Sequence, residues 1–136
     1  MKKGLVISMI VMVFTGLVLI LKMGLMPQVE GVISDFHQRY NDGEFGYIYR
    51  EMASGQFREA LPYGPYEEFM NKLRDRFGKV VKAERTGWGV FYKNIGSTFN
   101  LRYRTVYERG ELEENFTLLK HGSGWRILTY DAGSGK

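Results

Sequence analysis

Residues 99–107 read Phe-Asn-Leu-Arg-Tyr-Arg-Thr-Val-Tyr, in which large apolar or hydroxyl-bearing side chains occupy every second position. A period of two places alternate side chains on one face of a β-strand, so this segment predicts a strand with one buried and one solvent-exposed face. The side chains predicted to share the buried face are Phe99, Leu101, Tyr103, Thr105 and Tyr107.

Further strand-like segments lie on both sides of this one. Residues 79–92 precede it, and Gly87 and Gly89 indicate a bulge or sharp bend there. Short glycine-containing turns join consecutive segments, which predicts a four-stranded antiparallel meander. The later turns and strands are, in order, Arg109-Gly110, residues 111–121, residues 122–124 and residues 125–130.

The first half of the domain has a helical period instead. Pro27 is suited to the first turn of a helix, and Asn41-Asp42-Gly43 ends it, with Asp42 free to cap a second, short helix. A third helix is predicted to start at Pro65 and to end at Gly78. The fold class is therefore α+β, with about three helices packed on one face of a curved four-stranded antiparallel sheet. The apolar stripes are Val29, Ile33, Phe36 and Tyr40; Phe45, Ile48, Tyr49 and Met52; and Tyr66, Met70, Leu73 and Phe77.

A long apolar run precedes this domain. Met1-Lys2-Lys3 is followed by residues 4–21, which carry no charge, and then by Lys22. Eighteen residues rise about 27 Å as a helix, close to the roughly 30 Å hydrocarbon core of a bilayer. The run predicts a transmembrane helix over residues 4–26, anchored in lipid by Leu5, Ile10, Phe14, Leu17 and Leu21.

The alternative for this run is a secretory signal peptide, whose apolar region is about 7–15 residues and ends in a small-residue cleavage site. The first alanine of the chain is Ala53, so a retained anchor or uncleaved signal is favoured. Two lysines and the amino terminus precede the run and Lys22 follows it, so the positive-inside bias predicts that residues 1–3 lie in the cytoplasm. We expect a bacterial cytoplasmic-membrane protein whose domain, residues 27–131, faces the periplasm or exterior, with residues 132–136 as a flexible tail.

Charge and cysteine content exclude several function classes. Lys2, Lys3 and Lys22 account for three of the 19 basic residues, which leaves 16 against 15 acidic residues in the rest of the chain. A near-neutral domain offers no electrostatic attraction for nucleic acid. The absence of cysteine excludes disulfides, thiolate nucleophiles and sulfur-ligated metals. His37 and His121 lack metal-ligand spacing, so neither a metal nor a cofactor is expected.

Three segments resemble the nuclear transport factor 2-like superfamily, the curved-sheet cone that includes SnoaL-like polyketide cyclases and ketosteroid isomerase. They are residues 36–45, which join two helices, Pro65, which opens the third, and the final strand Gly124-Trp125-Arg126-Ile127. The likeness covers about residues 30–131 and extends to small exported bacterial domains. It implies a conical pocket that members use for catalysis, ligand binding or assembly, and no catalytic residue carries over to this chain.

The side chains expected to face such a pocket are aromatic, apart from one histidine. Tyr103, Tyr107 and Trp125 are predicted to share the buried face of the sheet, opposite His37 and Tyr40 of the first helix. They either line a ligand cavity or form an ordinary core whose hydroxyl groups reach its rim. His37 is likewise either a base within the pocket or a hydrogen-bonded structural side chain.

The acidic residues of the third strand are assigned no role in the pocket. Glu111, Glu113 and Glu114 surround the start of that strand and are expected to form a solvent-exposed edge.

These features favour a membrane-anchored, non-catalytic extracytoplasmic domain that binds a partner protein, as an envelope-assembly scaffold would, or a small apolar ligand. About five residues separate the anchor from the domain, so the tether would confine it to neighbours on the same membrane, including a second copy. Two alternatives stay open. One is a small pocket enzyme of the isomerase, dehydratase or cyclase type with His37 or Asp131 at its floor, and the other is a cleaved, secreted binding domain.

Overall fold

A computed structural model describes residues 24–134 of this chain. Within these residues, four helices precede four strands, and a π-helical turn, Ile48–Met52, continues the second helix. The helices are α1 (Met26–Asn41), α2 (Phe45–Tyr47), α3 (Gly55–Ala60) and α4 (Tyr63–Phe77). The strands are β1 (Val80–Lys93), β2 (Gly96–Tyr107), β3 (Gly110–His121) and β4 (Gly124–Ser134).

The four strands form one antiparallel sheet in the order β1-β2-β3-β4, which confirms the predicted meander. A register shift in β1 between Arg85 and Gly87 confirms the irregularity that the glycines predicted. Alternate residues of β2 face the helices, and all five side chains assigned to that face are buried. The alternation along residues 99–107 therefore fixes which face of the sheet meets the core.

The helices cover the inner face of the sheet. Pro27 lies in the first turn of α1, and the α1 stripe of Val29, Ile33, Phe36 and Tyr40 is buried against the strands. Helix α4 adds three buried side chains to the same core. These are Tyr66, Met70 and Leu73.

Two helix boundaries differ from the prediction. Helix α4 begins at Tyr63, two residues before Pro65. The amides of a first helical turn have no intrahelical partner, so proline at the third position loses no hydrogen bond. Asp42 does not cap α2, because it closes α1 instead, where its amide bonds the carbonyl of Gln38.

Two domain boundaries also differ. Strand β4 continues to Ser134, which pairs with Leu112, so residues 132–134 are part of the sheet rather than of a flexible tail. Met26, assigned to the anchor, is the first residue of α1 and is buried in the core.

No helix within residues 24–134 has both the length and the apolar character needed to cross a bilayer. The residues assigned to the lipid contact all lie outside the described residues, so the anchor stays a prediction. These residues are Leu5, Ile10, Phe14, Leu17 and Leu21.

Candidate functional site: a buried carboxylate beside an open groove

A buried carboxylate lies at the centre of the inner face. Glu114 of β3 stands opposite Tyr103 of β2 and is completely inaccessible to solvent. Its Oε1 lies 2.7 Å from Nε2 of His37 and accepts a 2.5 Å hydrogen bond from the Thr105 hydroxyl. Its Oε2 accepts hydrogen bonds from Tyr107, at 3.1 Å, and from Tyr130. Since an ionised carboxylate can only accept, Nε2 of His37 carries the hydrogen of the first contact.

These contacts set the ionisation of the cluster. Burial alone would raise the pKa of Glu114, but the hydrogen bond and charge of His37, followed by hydrogen bonds from Thr105 and Tyr130, lower it below its ordinary value. Burial and the negative charge of Glu114 raise the pKa of both Tyr107 and Tyr130. The site therefore holds one ionised carboxylate among neutral hydroxyl donors.

The expectation that Glu114 belongs to an exposed edge was wrong. Glu111 and Glu113 are exposed and pair with arginines of β2, whereas Glu114 points the opposite way. The sequence held a signal for this, because Glu114 shares the parity of Leu112 and Phe116 and so must face the core with them. Grouping the three glutamates by proximity in the chain concealed that alternation.

Four of the predicted pocket residues come together around this carboxylate. The His37 ring lies 6.3 Å from that of Tyr103, and the Tyr40 ring lies 6.0 Å from that of Tyr107. Tyr40 donates a 2.9 Å hydrogen bond to the carbonyl of Gly78, and burial raises the pKa of Tyr103 to about 12. Packed rings thus fill the space that a ligand would need at this level of the sheet.

The fifth predicted residue, Trp125, lies apart from the cluster. Its ring packs edge-on against Phe99 at 6.0 Å, near the turn that joins β3 to β4. Its indole N–H is buried and has no hydrogen-bond partner among the described residues. Asp131, the other group considered for a pocket floor, is exposed on β4.

An open groove of about 640 Å³ runs between α1 and β1, next to the buried cluster. His37 connects the two sites, because it bonds Glu114 and its side chain, 11% exposed, also lines the groove. Most of the other lining side chains are polar or charged. Those from α1 and the residue after it are Glu30, Ser34, Gln38, Asn41 and Asp42, and those from β1 are Lys82 and Arg85.

Two contacts fix the direction of α1 along the groove. At one end, the Asn41 side chain donates to the carbonyl of Val80 at 3.0 Å and accepts from its amide at 2.8 Å. Near the other end, Glu30 forms a 2.8 Å ion pair with Arg85. Helix α1 is therefore antiparallel to β1. The side-chain amide of Asn41 makes the two hydrogen bonds with the Val80 backbone that a neighbouring strand would make.

The chain matches no known protein family and no curated protein. Among solved structures it is similar to Bd1075 of Bdellovibrio bacteriovorus, with a TM-score of 0.45 and 14% sequence identity. The match covers 76% of this chain and 40% of Bd1075, so the chain spans less than half of that protein.

Proposed function

We propose that this chain is a membrane-tethered, non-catalytic domain that binds an extended segment of a partner protein along the free edge of β1. The observation that carries the proposal is that the side-chain amide of Asn41 forms hydrogen bonds with both the N–H and the C=O of Val80. At Val80 the backbone groups of this edge point toward α1, where Asn41 occupies them, and an added strand would meet the edge groups farther along β1, from Lys82 to Arg85.

The size and lining of the groove support a peptide as its occupant. Among the described strands β1 pairs with β2 alone, so its other edge borders the groove. From Lys82 to Arg85 the strand rises about 10 Å, enough to pair with roughly three or four residues of an extended chain. One carboxylate of α1 and one from the residue after it face two cations of β1 across the groove, which suits a polar peptide better than a small apolar ligand.

The buried cluster supports a structural role for Glu114. All its hydrogen-bonding contacts are intramolecular, and its carboxylate has no exposed surface from which to reach a substrate. We also propose, from the order of helices and turns alone, that the domain belongs to the nuclear transport factor 2-like superfamily, and that its anchor holds it outside the cytoplasm.

Site-specific photocrosslinking in intact membranes tests the proposed binding. A photoreactive residue at Ala83, which is exposed in the groove, should yield one discrete adduct, whereas the same residue at Lys72 of α4 should not. Ser34→Trp fills the groove from an exposed helical position and should abolish the adduct, and Lys72→Trp is the matched control.

The adduct must also identify an extended segment. A synthetic peptide of the crosslinked segment should slow amide exchange of residues 82–85 in the full chain and should fail to do so in Ser34→Trp. Equal crosslinking at both positions, or a bound peptide that leaves those amides unprotected, contradicts strand addition.

One contact favours a second candidate, a small pocket enzyme of the isomerase, dehydratase or cyclase type. His37 is held by a carboxylate and faces a groove, which is the arrangement of an oriented general base. This candidate predicts solvent-deuterium exchange at the acidic carbon of an enolisable carbonyl compound, lost in His37→Gln. If no compound of that class exchanges while the groove still captures its peptide, the His37–Glu114 pair has no catalytic role.

A further inference from the structure

The end of the sheet that carries the β1–β2 turn exposes a concentration of large apolar side chains. Tyr92 is 86% exposed, and two further aromatic residues and one isoleucine of this hairpin are about half exposed. We define the hairpin rim as these four residues and the two lysines at the ends of β1 and β3. The rim comprises Trp88, Phe91, Tyr92 and Ile95 together with Lys93 and Lys120.

The register of the sheet places both lysines at the same end. Thr98 pairs with Leu119, so the turn after Lys93 and the turn after His121 lie side by side. No acidic residue occurs in residues 85–107 or in residues 115–130, which form most of the two hairpins. The rim is therefore apolar and positively charged, with no acid of its own.

The direction of α1 places Gly24, the first described residue, on the side of the domain toward this same end of the sheet. From Glu30 back to Gly24 the helix rises about 9 Å, while from Arg85 forward to Tyr92 the strand rises about 23 Å. Because Glu30 and Arg85 are in contact, the rim lies about 14 Å beyond Gly24 in the direction from which the chain enters the domain. In the sequence Leu21 precedes Gly24 by three residues, and three residues of chain span at most about 11 Å.

We infer that the hairpin rim is a second membrane contact, in which its aromatic side chains enter the headgroup region of an anionic bilayer while Lys93 and Lys120 bind lipid phosphates. The inference rests on the proposed tether, which would bring the rim to the level of the bilayer surface. Tryptophan and tyrosine favour that interface, and lysines close to an anionic membrane surface are attracted to its phosphates. The contact would fix the tilt of the domain and hold the α1–β1 groove at a defined height.

Lipid quenching of single labels tests the inference. The chain contains no cysteine, so Ile95→Cys and Glu111→Cys each provide one thiol, at the rim and at the opposite end of the sheet. The full chain is labelled with an environment-sensitive fluorophore and reconstituted in phosphatidylethanolamine–phosphatidylglycerol vesicles with nitroxide-bearing lipids. The label at Ile95 should lose most of its emission and the label at Glu111 should keep it. Lys93→Gln with Lys120→Gln should weaken the quenching.

Carbonate extraction of the same vesicles separates the rim from the tether. If the protein stays in the vesicles but the label at Ile95 is not quenched, the proposed membrane contact of the rim is wrong and the proposed tether stands. If carbonate releases the protein and the label is not quenched, both proposals are wrong. If carbonate releases the protein although the label is quenched, the tether is wrong and the membrane contact of the rim is supported. If the emission of the label at Ile95 changes with the density of protein in the vesicles and not with the nitroxide-bearing lipids, a second copy of the chain covers the rim. That outcome contradicts the inference.

Discussion

Glu114 stands between Leu112 and Phe116 on the inner face of β3, where an ionised carboxylate is ordinarily very costly. The fold tolerates it because four side chains, from α1, β2 and β4, direct donors to its two oxygens. A buried ion pair such as that of Glu114 with His37 need not stabilise the fold more than an apolar core of equal volume would. Removing one partner, however, leaves the hydrogen-bonding groups of the others unsatisfied. Glu114 therefore fixes the register in which α1 meets the sheet.

The first prediction concerns the loss of this carboxylate. Glu114→Gln should lower the free energy of unfolding by about 2–4 kcal/mol, because an amide places an N–H opposite hydroxyl donors that need an acceptor. Denaturant unfolding of the full chain in mild detergent, followed by tryptophan fluorescence, measures the change. Glu113→Gln, which breaks an exposed pair with Arg102, should change the same quantity by less than about 1 kcal/mol. Equal effects of the two substitutions would contradict a structural role for Glu114.

The second prediction is the pH dependence of stability. A carboxyl whose pKa is lowered on folding stabilises the native state at pH above its unfolded value, about 4.3 for glutamate. That stability is lost as the pH falls through the lowered native pKa of Glu114. Melting temperatures measured from neutral pH downward should therefore fall steeply below about pH 4 in the native chain and less steeply in Glu114→Gln. Parallel curves for the two proteins would mean that other carboxyl groups control acid unfolding.

At the scale of single elements, the junction of α4 with β1 depends on one glycine. Gly78 has φ +81° and ψ −155°, a backbone conformation that is almost exclusive to glycine. A Cβ at this position would lie 2.7 Å from Oε1 of Glu108, which accepts a hydrogen bond from the amide of Lys79. The carbonyl of Gly78 accepts a hydrogen bond from the Tyr40 hydroxyl, so this turn also positions the C-terminal end of α1.

The third prediction follows from that backbone conformation. Gly78→Ala should destabilise the domain by about 1–3 kcal/mol, measured by the same denaturant unfolding. Gly31→Ala is the matched control, because Gly31 lies within α1 with open space around it. Alanine should there leave stability unchanged or raise it by about 0.5–1 kcal/mol. A neutral Gly78→Ala would show that the junction can relax without loss.

Periodicity predicted the elements well because burial on one face imposes it directly. The alternation of residues 99–107 gave the paired strands, and the stripe from Val29 to Tyr40 gave α1. Boundaries were less accurate, since β4 reaches Ser134 through pairing with β3, and a tail rich in glycine carries no sign of that pairing. The buried site was missed because its acid, Glu114, is recognised by parity with its neighbours in β3 and by partners distant in sequence.

At the scale of the whole molecule, the described domain presents two different surfaces. The α1–β1 groove opens along one edge of the sheet, while the hairpin rim lies at the end from which the chain enters α1. Residues 79–107 contribute to both, so a rim held at a bilayer would leave the free edge of β1 available beside it. Partner binding and membrane contact would then reinforce each other through effective concentration.

The last prediction concerns orientation across the membrane. Lys2, Lys3 and the amino terminus precede the apolar run and Lys22 follows it, so the charge bias that would hold the N-terminus in the cytoplasm is small. A membrane-impermeant maleimide should label Glu111→Cys in intact spheroplasts, because in the proposed orientation that thiol would lie on the exposed face of a domain outside the cytoplasm. Adding Lys2→Gln and Lys3→Gln leaves only the amino terminus before the run against Lys22 after it, which removes the bias, so a substantial fraction of molecules should then label only after lysis. Lys22→Gln should instead leave labelling of intact spheroplasts complete. If Glu111→Cys with all its lysines retained is labelled only after lysis, the domain, with its groove and rim, lies on the cytoplasmic side of the membrane.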